Sequence, residues 1–161
     1  MDGSNVVWKL NGLFHADAQI VADELKGIQA KNNEEVKPKD IVQYAEAHTD
    51  SELHKCFTWD NTKAAEKWRI EEAKMIIRNI VVVYNEPTKK EETRQLQVRW
   101  AFRTDPTGGY KRTEYIVKNP DEHEKLVAMA KAELASFRRK YEILSDDVLM
   151  REIFEAIDKV I

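Results

Sequence analysis

Few residues in this 161-residue chain have the type and spacing for chemistry. His54 and Cys56 form its one close His/Cys pair, two positions apart, and His15, His48 and His123 stand far from each other. A structural zinc site needs four such ligands at set spacings, so no metal is expected. A nucleophilic cysteine needs a neighbouring base. Spacing offers Cys56 none, and its expected place is a small buried residue beside Phe57. The acidic pairs Glu34-Glu35, Glu71-Glu72, Glu91-Glu92 and Asp146-Asp147 fall at helix starts, loop tips or exposed helix faces, where a charge run is usually solvated surface. Gly108-Gly109 lacks the strand-to-helix context of a phosphate loop and reads as a turn. These readings point to no catalytic residue, no cofactor and no enzyme.

The basic residues carry the leading expectation. Lys89, Lys90, Arg94, Arg99, Arg103, Lys111 and Arg112 lie between positions 78 and 118, against fewer acids. Lys63 and Lys67, with Arg69 and Lys74, add cations on the helix before them. A basic sheet face or hairpin can follow a phosphate backbone, so DNA or RNA is the expected partner. The alternative is a solvated sheet face whose cations pair across strands, for example with Glu114. The net charge of −3 and pI near 5.9 make no general case for nucleic acid, so any binding must come from a local patch.

The elements that must hold these residues are organised around positions 57–84, where a long helix runs straight into the most hydrophobic strand. Trp59-Asp60 opens the helix, with Asp60 as its cap and Trp59 as a staple on Ala64. No Gly or Pro interrupts residues 62–78, and Ile80-Val81-Val82-Val83-Tyr84 then switches to a β-branched run. Before it, residues 5–14 read as a short strand or an extended arm. Residues 17–30 and 38–47 read as helices, the second with Pro38 in its first turn. Thr49 to Glu52 is a capping box for a short helix through Phe57. After it, residues 95–103 alternate, with Leu96, Val98, Trp100 and Phe102 on one face and Gln95, Gln97, Arg99 and Arg103 on the other. A turn at 105–109 leads to a third strand at 110–117. Asn119-Pro120 starts a helix to about Tyr141, with Leu126, Met129, Ala130, Leu134, Phe137 and Tyr141 inward. Ser145-Asp146-Asp147 caps a last one.

The expected fold class is α+β in a single domain, 1–161. A helical bundle at about 15–78 precedes a three-stranded antiparallel meander at about 79–118 and two C-terminal helices at about 119–161. The helical order followed by a basic-tipped hairpin is winged-helix-like, with Lys63, Lys67, Arg69 and Lys74 toward DNA. The extra short helix near 50–57 and the acids Glu66, Glu71 and Glu72 depart from that pattern. The last two helices, from Phe137, Arg138, Arg139, Tyr141 and Leu144 through 148–161, offer more apolar surface than a small meander needs. They suggest a homo-oligomer or a protein–protein module as the alternative function.

No run approaches the ~20 apolar residues of a membrane helix. The N-terminal stretch lacks the basic start and apolar core of a signal peptide, and the single cysteine fits a reducing compartment. A cytoplasmic protein, of a host cell or bacterial cytosol, is expected.

The stretch DSELHKCFTWDN at 50–61, the A-A-x-x-W-R segment at 64–69 and LASFRRKY at 134–141 resemble a family of small phage and prophage proteins. Its members carry a similar H-x-x-F-x-W-D-D-like block before a long helix, then a β meander and a C-terminal helix with F-R-x-x-Y. The resemblance runs from about residue 15 onward and implies origin and fold continuity, with other phage proteins as partners; it implies no activity. His54, Phe57, Trp59 and Asp60, which match the block, are expected to be a staple, a cap and core aromatics. Asn61 stands where the family often has an acid.

Overall fold

The computed structural model describes residues 5–59, 63–87 and 93–161. The chain folds as two compact units, residues 1–115 and 116–161. Its class is α+β, with a three-stranded antiparallel sheet and C-terminal helices.

The first unit begins with strand β1 (Asn5–Trp8) and helix α1 (Ala18–Lys31). Asp17 caps α1, its Oδ1 accepting from the Gln19 and Ile20 amides at 2.9 and 3.0 Å. Helix α2 (Pro38–Ala47) starts on proline, and Asp40 accepts from the Lys37 amide at 3.1 Å. Helix α3 (Glu52–Lys55) is capped by Ser51, not by Thr49: the Ser51 hydroxyl accepts from the His54 amide at 3.1 Å. The Glu24 carboxylate of α1 takes the Glu52 and Leu53 amides at 3.1 and 2.8 Å, so this short helix is pinned by its neighbour. Helix α4 (Lys63–Asn79) passes with no intervening residue into β2 (Ile80–Pro87). Asp60 and its expected cap lie outside the described residues.

Strand β2 is central, paired antiparallel with β1 on one side and β3 (Thr93–Arg99) on the other. The register aligns Val6, Val82 and Val98 in one row, with Val7, Val81 and Arg99 in the row on one side of it and Asn5, Val83 and Gln97 in the row on the other. Of the two readings of residues 5–14, a short strand or an extended arm, Asn5–Trp8 is the strand. The expected strand at 110–117 is not a member of this sheet. Only Lys111–Arg112 (β5) is extended, and it pairs with Ala101–Phe102 (β4) in a separate two-stranded ribbon. Thr113–Lys118 is helix α5. The cause is local. Thr113 donates its amide to the Trp100 carbonyl at 2.9 Å and its hydroxyl to the Arg99 carbonyl at 2.6 Å, which turns the chain away from the edge.

One apolar core fills this unit. It joins Val21, Leu25 and Ile28 of α1, Ile41 of α2, Leu53 of α3, Ile76 and Ile77 of α4, Ile80 of β2, and Trp100. Each such buried aliphatic side chain contributes about 1.5–3 kcal/mol relative to exposure.

The second unit is a helical hairpin. Helix α6 (Pro120–Lys140) is capped by Asn119, whose Oδ1 accepts from the Glu122 amide at 3.3 Å. A 3-10 turn at Glu142–Leu144 reverses the chain into helix α7 (Val148–Asp158), where Asp147 accepts from the Met150 amide at 2.9 Å. Among the described residues no helix is long and apolar enough to cross a membrane.

Candidate functional site

The strained turn between α1 and α2 decides the fate of two expected phosphate contacts. Asn33 and Glu34 both adopt left-handed backbone angles, φ 52° and 63°, which cost a non-glycine residue about 1 kcal/mol or more each. The turn is held by the Val36–Tyr110 backbone bridge, with bonds of 2.9 and 2.8 Å. It delivers two carboxylates to β5. Glu34 Oε2 stands 3.1 Å from Arg112 Nη2, and Glu35 Oε1 stands 3.3 Å from Lys111 Nζ. The Gly109 amide and then Lys111 hold the Glu35 carboxyl below the usual carboxylate range. Lys111 and Arg112 are thus matched by acids from a loop distant in sequence, and both are half-buried.

Arg99 and Arg103 are also separated. Arg99 closes β3 and lies exposed, its guanidinium 5.4 Å from the Phe102 ring centre. Arg103 follows the ribbon strand β4 and donates to the Asp105 carbonyl at 3.3 Å. The strand breaks at buried Trp100, so the two arginines share no sheet face. On α4, Lys67 borders a groove of about 660 Å³ against α2, with Glu46 and Glu66 beside it. Arg69 lies 5.4 Å from the Trp59 ring, and Lys74 pairs with Glu71 at 2.6 Å. The side chains of Lys63 and Arg94, and the whole of Lys89 and Lys90, lie outside the described residues.

The His54–Cys56–Trp59 block is built as packing. The His54 ring stacks on Trp59, with centroids 4.6 Å apart, and its Nδ1–H donates to the Ala45 carbonyl at 2.7 Å. Trp59 returns an indole N–H to the His54 carbonyl at 2.9 Å. Cys56 is buried, and burial, with Glu52 and further acids adding to it, pushes its thiol up to about 12. At neutral pH it is no nucleophile. Glu72, 6% exposed, takes the Thr58 hydroxyl at 2.9 Å and the Trp68 indole N–H at 3.0 Å. Among the described residues no three His, Cys, Asp or Glu side chains gather to hold a metal ion.

An unpartnered apolar feature lies in the second unit. Leu134 and Phe137, expected inward, are 37% and 39% exposed. On α7 only Phe154 and Ile157 are buried, while Leu149 and Ile153, and Val160 just past the helix end, are 71%, 47% and 45% exposed. A groove of about 440 Å³ runs between the helices, lined by Leu134, Phe137, Ile153, Ala156, Ile157 and Val160. Every lining side chain is apolar. The signal was present in the sequence as spacing: Leu149, Ile153, Ala156 and Val160 recur at four, three and four, a second heptad stripe beside Met150, Phe154 and Ile157.

No family model, no curated protein and no solved structure matches this chain.

Proposed function

We propose that this chain is a non-enzymatic accessory protein, of the phage or prophage kind its sequence resembles, that works by protein–protein association through the α6–α7 hairpin. One observation carries this reading: a wholly apolar groove flanked by open stripes on both helices. Contiguous apolar surface of this kind is unfavourable in water and marks an interaction site. The basic residues support a nucleic-acid role less well, because Lys111 and Arg112 are matched by Glu35 and Glu34, and Arg103 lies outside the strand that Arg99 closes.

The test uses the native chain at low concentration with an apolar fluorophore such as bis-ANS, beside binding to labelled DNA and RNA at low and near-physiological salt. The reading expects dye binding that Ile153→Glu abolishes, and no salt-sensitive nucleic-acid binding. It is overturned by a folded protein that ignores the dye and binds nucleic acid through Arg99, as shown by loss on Arg99→Glu.

A further inference from the structure

Helix α7 has two apolar seams, and only one of them is used. Phe154 and Ile157 are buried, Phe154 under Arg138 of α6 and Ile157 beside Leu134 and Phe137, with half-buried Met150 on the same stripe. Leu149, Ile153, Ala156 and Val160 form the second seam and are exposed. Helix α6 repeats the pattern. Val127, Ala130, Leu134 and Phe137 recur at three, four and three, and all are exposed. A helix with two heptad seams is built for two helical neighbours. A hairpin in which both helices keep an open seam is half of a four-helix bundle.

We infer that the other half is a second copy of this chain, packed on the groove by a two-fold axis parallel to the helices. This inference rests on the association reading above and names its partner. Two further observations select a second copy. The first is charge. The open seams are bordered by exposed Glu133 and Lys140 on α6, by exposed Glu152 on α7 and by exposed Lys159 at its C-cap. The hairpin register is fixed by Arg138, whose guanidinium lies 4.4 Å from the Phe154 ring centre. The same register sets Lys140 level with Glu152 and Glu133 level with Lys159. Under the two-fold axis, α6 of one copy faces α7 of the other, so each lysine meets a glutamate of its mate. A rim with two charges of each sign gives a strongly acidic or basic partner no such match.

The second observation is area. The exposed parts of Val127, Leu134, Phe137, Leu149, Ile153 and Val160 amount to on the order of 500 Å². A standard interface buries ~800 Å² per partner, of which homodimers make roughly two-thirds apolar. The two seams supply that apolar share.

The experiment is sedimentation equilibrium of the full chain from low to several hundred micromolar. A dimer is expected whose affinity falls only modestly with added salt, as the rim ion pairs are screened while the apolar seam is not, and Ile153→Glu or Val160→Glu should give a monomer with unchanged circular dichroism. Both positions are exposed, so neither change removes core packing. Lys140→Glu should weaken dimerisation about tenfold, since symmetry repeats the clash, and adding Glu152→Lys should restore it. A chain that stays monomeric throughout overturns the inference, as does a dimer indifferent to both Ile153→Glu and Val160→Glu. If the monomer still binds the apolar dye in an Ile153-dependent way, only the second copy is excluded and the association reading stands. Monomer without dye binding removes both.

Discussion

The Arg138 guanidinium lies 4.4 Å from the centre of the Phe154 ring and is the hinge pin of the C-terminal hairpin. It also pairs with Glu142 and reaches Asp158 Oδ1 at 3.4 Å, so one side chain links α6, the reversing turn and α7. With the Arg138 side chain 21% exposed, these contacts are partly shielded from water. Arg138→Ala is expected to destabilise the hairpin by about 1–2 kcal/mol. Arg138→Lys should recover little, because a lysine cannot lay a planar group on the ring while holding two carboxylates. Amide exchange in α7 reads both; wild-type protection in Arg138→Ala would refute the role.

The Glu35 carboxyl is held below its usual range by the Gly109 amide and by Lys111. A depressed folded-state value means the contribution is complete above the ordinary carboxylate pKa of about 4.3 and fades as pH falls through the lower folded value. Urea midpoints measured from pH 7 down to about pH 3 should therefore drop less steeply below about pH 4 in Glu35→Gln than in the parent. Parallel profiles would show that this carboxylate contributes nothing to acid stability.

A Cβ built on Gly109 would stand 2.8 Å from the Val36 carbonyl oxygen and 3.1 Å from Glu35 Cβ. Gly109→Ala should therefore force the α1–α2 turn off β5 at a cost of about 1–3 kcal/mol, seen in urea denaturation. Loss of exchange protection at the Val36 and Tyr110 amides should accompany it.

Cys56 is buried, with its thiol raised to about 12. Alkylation by iodoacetamide at pH 8, followed by intact mass, should leave the native chain unmodified and label it fully in denaturant. Rapid native labelling would mean that the α3 region opens readily.

The elements were legible where the signal is local. Asp17, Pro38, Asn119 and Asp147 mark helix starts that the structure repeats, and the run from Ile80 is a strand because β-branched residues follow a helix with no Gly or Pro. The failures share a physical cause. Residues 110–117 alternate well enough for a strand, but two hydrogen bonds from Thr113 to Arg99 and Trp100 override that preference. Lys111 and Arg112 looked open because Glu34 and Glu35, their partners, are over seventy positions away. For Leu134, Phe137 and Ile153, apolar spacing shows that a face wants burial. It does not say whether the same chain supplies the cover.

Strand β1 has a consequence for how the chain is made. Its partner β2 follows α4, so Trp8 and Ile80, opposite each other in the sheet, are more than seventy positions apart. During synthesis β1 emerges before β2 and has no ladder to join until α1 to α4 are complete. The helices can form early from local contacts, whereas the sheet closes late, after the long loop has been drawn in. A ribosome-bound chain stopped before β2 would therefore present Val6 and Trp8 to chaperones, and release of that hold would be timed by the arrival of Ile80 to Tyr84.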